Sequence, residues 1–526
     1  MAAPTDTWTP KFNPWLVAIV VAMAAFMEVL DTSIANVALP HIAGNVGASN
    51  DESTWVLTSY LVSNAIVLPI SGWLATLFGR KRFFLLCICV FTLSSLLCGA
   101  APTLAGLILF RVLQGAGGGG LQPMAQAILA DTFPPEKRGL AFALYGITAI
   151  MAPTIGPTLG GWITDNYSWR WIFYINLPVG ILTLFLVMRM VEDPPYLRRL
   201  KGAGVRIDYI GVALLALGIG ALQVLLDKGQ EDDWFGSHFI LTLAVISAVS
   251  LISLVFWELH HRSPIIDIRM FKTFNFAVAS LMMFFLGVLL FSSLVMMPQF
   301  LQTLMGYTAE SAGLVLSGAG LLLLFEMPVV GQLTTKYPTK YIMAFGWLCL
   351  ALGMYYSTRR IDLLISFKAA AWLRVTQSFG LGFLFVPITL AAYIGIPPEK
   401  GNSVSGLVNF MRNIGSSVGT SMVTTMLARR SQFHQSVLTY HATNYDPAFR
   451  NQLEGLSQQL LHSGATPPDA QAAAYGRIYQ SVLVQSQTLA YIDTFMVLAV
   501  ASSIMFVLTF LVKKNDPGAG GEVAVG

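Results

Sequence analysis

Six charged residues stand deep inside apolar stretches of this chain: Glu28, Asp31, Arg111, Glu326, Arg374 and Arg412. A charge in hydrocarbon costs about 2.5–3.5 kcal/mol on insertion scales, so such residues mark proton or ion pathways by default. At 1.5 Å per residue, Asp31 lies roughly 12 Å and Arg111 roughly 10 Å from the same end of their apolar runs. An ion pair at that depth lowers the cost of burying both, and protonating the carboxylate would release the arginine. Glu28 stands one helical turn before Asp31 and shares its face. Two acids so close in low dielectric do not both ionise cheaply, which suits the pair to carrying a proton. Glu326 and Arg412 lie at similar depth from the opposite end and are expected to form a second pair. Arg374 has no acid at matching depth.

The elements that must hold these charges are membrane helices. Hydrophobic residues make up 55% of the 526 and charged residues 11%, well below the roughly 25% charge of soluble domains. Fourteen apolar runs approach the roughly 20 residues that span a bilayer, with 340–357 the least apolar. The first run carries Glu28 and Asp31 and lacks a basic leader, so it reads as a retained span rather than a cleaved signal. Arg111-Val112-Leu113-Gln114 and Pro134-Pro135-Glu136-Lys137 recur as Arg374-Val375-Thr376-Gln377 and Pro397-Pro398-Glu399-Lys400, both 263 residues later, since 374 − 111 = 397 − 134 = 263. Pro69 and Gly72 recur as Pro328 and Gly331. Such duplication is the mark of a carrier whose halves rock against each other.

The expected architecture is all-α: a cytoplasmic tail over 1–14, a six-helix half over 15–190, a linker and two-helix insert over 191–257, a second six-helix half over 258–512, and a tail over 513–526. Arg80, Lys81, Arg82, Arg198, Arg199, Lys201, Lys513 and Lys514 gather on one side, against Arg170, Lys228, Arg359, Arg360 and Lys368 on the other. The positive-inside bias therefore predicts cytoplasmic termini. It also accounts for the net charge of +4 without nucleic acid. The four cysteines all fall in spans, where a soft apolar filler is expected rather than a disulfide framework. Residues 429–486 form a long extracytoplasmic segment, either a solvated loop or a partner-docking surface. Helical spacing after Asp469 can run on into the last span.

Other residues suggest how a cargo is held. Phe26, Met27 and the methionines Met282, Met283, Met296 and Met297 are deformable apolar surface. Asn64, Gln114, Gln122, Gln126, Gln377 and Asn409 supply polar contacts. Gly115–Gly120 fits G-x-G-x-x-G but sits in a membrane helix, so close helix packing is the better reading than a dinucleotide site. Gly156, Pro157, Gly160 and Gly161 read as a pliable, tightly packed gate. No P-loop occurs, which leaves a proton gradient, with no cofactor, as the expected energy source. No constellation such as H-E-x-x-H supports an enzyme; His260 and His261 beside Arg262 read as loop residues. A metabolite or siderophore exporter, or a receptor that kept the fold, are the rival readings.

Several motifs carry a resemblance. Leu30-Asp31-Thr32-Ser33-Ile34-Ala35-Asn36-Val37-Ala38-Leu39-Pro40 resembles the first-span signature of the fourteen-span drug:proton antiporters of the major facilitator superfamily. Arg111-x-x-Gln114-Gly115 resembles their fourth-span motif, and Gly156-Pro157-x-x-Gly160-Gly161 their fifth-span motif. Trp169 to Pro178, Leu226 to Gly229 and Asp233-Trp234-Phe235 are most similar to the EmrB-type branch. The resemblance implies a multidrug efflux carrier in the bacterial inner membrane, with Arg111 as proton-relay arginine and Asp31 as coupling acid. It further implies a periplasmic membrane-fusion adaptor, EmrA-like, and a TolC-like outer-membrane channel as partners, which would occupy 429–486. The chain departs from the pattern twice. In the gating loop Gly72 to Arg82, which includes Gly79, Arg80 and Arg82, Thr76 replaces the usual Asp, which puts the loop's charge lock in question. Ala152 replaces a glycine in the fifth span.

Overall fold

The computed structural model describes residues 10–194, 208–261, 264–443 and 445–513. The basic cluster Arg198, Arg199 and Lys201, together with Arg262, Lys514 and the outermost parts of both tails, lies outside the described residues. The first half comprises α1 (Pro14–Val46), α2 (Asn50–Ser53), α3 (Trp55–Phe78), α4 (Arg80–Ala100), α5 (Leu104–Gly118), α6 (Leu121–Thr132), α7 (Pro135–Asn166), α8 (Trp171–Tyr174) and α9 (Asn176–Met190). The insert is α10 (Tyr209–Lys228) and α11 (His238–His260). The second half comprises α12 (Phe274–Thr303), α13 (Ala309–Lys336), α14 (Thr339–Arg360), α15 (Phe367–Ser378), α16 (Gly382–Ala392), α17 (Gly401–His441), α18 (Pro447–His462) and α19 (Pro467–Thr509).

Local chemistry sets the helix ends. Asn13 accepts from the Trp15 amide ahead of Pro14, Thr103 caps α5, Thr308 caps α13 and Ser366 caps α15, each satisfying a backbone donor that a helix start leaves free. Ser49 and Glu52 form a capping box. Among the described residues, twelve helical segments are long and apolar enough to cross a membrane. The other two runs expected to span are α14, the least apolar expectation, and α17, which carries polar residues along much of its length. Large apolar side chains such as Leu93, Phe325 and Val507 point outward, as a hydrocarbon surround allows.

Two spans are broken, and they are related by the repeat. The fourth divides at Gly119-Gly120 into α5 and α6, and its counterpart divides at Phe379-Gly380-Leu381 into α15 and α16. Gly380 has φ +111° and approaches the Gly346 carbonyl so closely that a Cβ would lie 2.7 Å from it. Discontinuous helices at matching positions of two halves are where carriers place their sites.

The segment 429–486 is not an irregular loop. α17 and α19 run continuously out of the bundle, and α18 folds back on α19 through Leu453, Ala474 and Ile478. A 43-residue helix is roughly 65 Å long against a hydrocarbon core of about 30 Å, so a helical projection stands beyond the membrane. Pro447 and Pro467-Pro468, which resemble breaks in the sequence, are first-turn residues of α18 and α19, where proline is favoured.

Candidate functional site

The first cluster lies within the first half. Asp31 accepts from Arg111 Nη1 at 2.6 Å, Gln114 Nε2 at 2.9 Å and Asn176 Nδ2 at 2.7 Å. Arg111 is further held by the Val56 carbonyl at 3.0 Å and by Gln114 Oε1 at 2.9 Å. Its guanidinium lies over the Tyr60 ring at 4.3 Å; its Nη2 has no hydrogen-bond partner. Both side chains are 1% exposed or less. The depth estimate thus placed the pair together.

Glu28, one turn along α1, belongs to a different network. Its carboxylate accepts from Tyr60 Oη at 3.2 Å, Asn64 Nδ2 at 3.1 Å and Gln122 Nε2. Gln122 Oε1 in turn accepts from Tyr145 Oη at 3.1 Å and from Arg412 Nη2 of the second half. Asn409 Nδ2 donates to Gln126 Oε1 at 2.7 Å, and Tyr145 Oη reaches Asn409 Oδ1 at 3.5 Å. A buried polar chain therefore runs from Glu28 on α1 through α6 and α7 to α17, across the boundary between halves.

Glu326 and Arg412 do not pair. Arg412 turns toward Gln122 and lies over the Phe385 ring at 5.6 Å, whereas Glu326 accepts from the Gly380 amide at 3.1 Å beside the break before α16. Arg374 donates to Ser293 Oγ at 3.0 Å and to Gln377 Oε1 at 3.4 Å, and Gln377 Nε2 donates to Ser357 Oγ at 2.9 Å. Met27 and the α12 methionines Met282, Met283, Met296 and Met297 are 0–1% exposed and belong to the packed core, while Phe26 is half-buried.

The gating residues cluster at contacts between helices. A Cβ on Gly72 would come within 2.8 Å of the Ser403 backbone, and Gly331 would meet the Gly139 carbonyl at 3.0 Å. The two halves are thus in backbone contact at the end predicted to be cytoplasmic. Gly156 and Gly160 lie against Ser33 and Ile34 of α1, Gly161 only just reaches Val37, and Pro157 sits half-buried within α7. Gly79 turns the chain between α3 and α4 at φ +87°. Arg80 is buried on Asp131 and the Ala127 carbonyl, Thr76 bonds only to its own helix at Trp73, and Arg82 is exposed. The buried ion pair of this loop is therefore Arg80 with Asp131, and the Thr76 position takes no part in it.

The comparisons fix the family. Residues 21–420 match the Major Facilitator Superfamily. The chain belongs to that superfamily, and to its EmrB-type branch. It is 38% identical over 511 residues to the multidrug export protein EmrB of Escherichia coli (strain K12), covering 96% of each chain. It is 35% identical over 511 residues to the fatty acid resistance protein FarB of Neisseria gonorrhoeae, covering 96% of this chain and 97% of that one. Among solved structures, the proton:xylose symporter XylE superposes with a TM-score of 0.60 over 95% of this chain and 96% of that one, at 13% identity; that likeness concerns the fold alone. As a member of this superfamily the chain is a multi-pass membrane transporter, not an enzyme.

Tyr60, Asp131, Tyr145 and Asn176 complete these networks, and the sequence reading did not single them out. Asp131 sits at the end of α6, and Asn176 opens α9 within the Trp169 to Pro178 motif, which carried the family resemblance but assigned no role to that residue.

Proposed function

We propose that this protein is a proton-driven exporter of amphiphilic toxic compounds, working by alternating access in the bacterial inner membrane with cytoplasmic termini. The observation that carries the reading is the Glu28–Gln122–Arg412 chain, which joins a buried acid of one half to a cation of the other. Glu28 is the transported-proton site in this scheme. All three of its donors are neutral, and the Tyr60 hydroxyl can accept as well as donate, so a protonated Glu28 keeps a partner. Asp31 is instead neutralised by Arg111 and takes two further donors, which suits it to fixing α5 and α9 around α1. Protonating Glu28 would loosen the hold on Gln122 and, through it, on Arg412, and so release one half from the other. A membrane potential of ~100 mV contributes about 2.3 kcal/mol per charge moved.

The relatives' names, multidrug export and fatty acid resistance, support lipophilic cargo. The projection of α17, α18 and α19 supports docking of a membrane-fusion adaptor that leads to a TolC-like channel. The test is efflux of a fluorescent amphiphile from proteoliposomes with and without an imposed pH gradient. Gradient-driven efflux by the wild type and its loss in a stably folded Glu28→Gln variant are expected; full coupled transport by that variant would overturn the assignment.

A further inference from the structure

The turn that joins the two insert helices is built as a rigid wall at the extracytoplasmic end. On one side it is fixed to the first half: Lys228 Nζ contacts Thr54 Oγ1 and the Asp51 carbonyl, and Asp227 accepts from Thr58. On the other, the Trp234 indole N–H donates to Gln230 Oε1 at 3.2 Å and to Thr425 Oγ1 of α17 at 3.1 Å. Asp233 and Trp234 are the only non-glycine residues with positive φ among the described residues, at 57° and 47°. Backbone held in such a sparsely populated region persists only where its surroundings over-determine it, and tends to mark functional sites. The indole packs where a Cβ on Gly229 would come within 2.8 Å of the ring, so that glycine is what lets the tryptophan seat.

Between this wall and α17 lies an open cleft of about 480 Å³, within the ~300–1,000 Å³ range of small-ligand sites. Its faces are apolar: Trp234 and Phe235 on the turn, Met422 and Met426 on the helix. Its rim carries Arg429 and Arg430. Arg430 is engaged, bonded to Asp493 at 2.6 Å and lying over Phe433 at 4.4 Å, and His434 Nε2 shares the same carboxylate. Arg429 is exposed and meets no acid among the described residues, which leaves its guanidinium available. An aromatic and methionine slot ending in a free guanidinium at the membrane surface matches one chemistry: an apolar tail with an anionic head.

We propose that this cleft binds a single-chain amphiphilic carboxylate, with its tail between Trp234 and Met422 and its head on Arg429. The site is distinct from the Glu28 network and its occupancy does not depend on proton coupling. Its volume suits one chain better than a two-chain phospholipid. The test uses purified full-length protein in nanodiscs, photolabelled with a diazirine-bearing twelve-carbon carboxylate, with adducts mapped by mass spectrometry. Saturable labelling within 422–430 and 234–235 is expected. Arg429→Gln should weaken it about tenfold while leaving the matching alcohol probe unchanged, and the alcohol should label the wild type no better than the variant. Thr425→Val, which removes the indole's bond to α17 and leaves it only Gln230, should weaken labelling by both probes. Equal labelling by acid and alcohol, or no effect of Arg429→Gln, would overturn the proposal. Competition by an anionic phospholipid as effective as the unlabelled carboxylate would instead assign the cleft to lipid and also overturn it.

Discussion

The two halves hold the same arginine in opposite electrostatic company. In the first, Arg111 meets Asp31 at 2.6 Å with Gln114 beside it. In the second, Arg374 and Gln377 stand 263 residues later, but the side chain facing the arginine is Ser293, which follows Asp31 by 293 − 31 = 262 residues. Both halves share the scaffold of broken span, arginine and glutamine, while the acid is present on one side only. Arg374 is buried with neutral partners, and its Nε has none. The difference teaches that the buried arginine and glutamine are common to both halves, whereas the acid that faces them is present in one alone. What distinguishes the first half is an acid-bearing α1 that reaches the other half through Gln122. The second half contributes a cation, Arg412, on α17.

The largest expected effect tests that asymmetry directly. Arg111→Leu leaves the Asp31 carboxylate buried and unpaired, which should cost about 3–5 kcal/mol and be read as a large loss of thermal stability in detergent. Arg374→Leu removes an uncompensated charge and hydrogen bonds to two neutral groups. Its cost should be about 1–2 kcal/mol, and equal losses would break the comparison. Ser293→Asp should then convert the second site into a copy of the first. In that background Arg374→Leu becomes as costly as Arg111→Leu, and a double-mutant cycle over Ser293 and Arg374 should give a coupling of about 1–3 kcal/mol. Proton-driven efflux should be unaffected by the new pair, because Glu28 lies in the other half.

A middle-sized effect is expected where the halves touch. Gly72→Val drives a branched side chain into the Ser403 backbone, with overpacking worth about 1–3 kcal/mol against the conformation described here. The inner ends should then separate, seen as faster thiol labelling of a Ser403→Cys probe in the Gly72→Val background than in its absence. Unchanged labelling would mean that this contact does not gate.

How far the sequence reaches is clear from the same residues. Asp31 and Arg111 were pairable on paper because rise per residue fixes height in the membrane, and both sit at one height. Glu326 and Arg412 also share a height, yet they face different neighbours: height leaves the rotation of each helix about its axis undetermined, and only packing sets it. The repeat showed the two arginines, but not that both spans break just beyond them. Asp131 lies at the end of α6 beside the Pro-Pro turn, where a charge is ordinary, and only the packing of α4 against α6 brings Arg80 onto it. The projection was legible only in part: spacing after Asp469 carried the start of α19, while low charge and three prolines hid α17's extension and α18.

The smallest predicted effect concerns the Trp234–Thr425 hydrogen bond, which ties the insert turn to the second half. Thr425→Val keeps the shape of the side chain and removes the acceptor of the Trp234 indole N–H, so stability should fall by about 0.5–1.5 kcal/mol. Gln230 still accepts from the indole, which keeps the cost at the low end. The consequence should be local: faster amide exchange over 229–237, where Asp233 and Trp234 are held at positive φ, with α10 and α3 unchanged because Lys228 and Asp227 remain anchored on the first half. If exchange rose equally along α3, the turn would be a structural part of the first half alone. Confinement to the turn would instead make it a hinge fixed to one half and latched to the other, through which the insert senses the relative position of two unequal partners alongside the Gln223–Ser417 hydrogen bond.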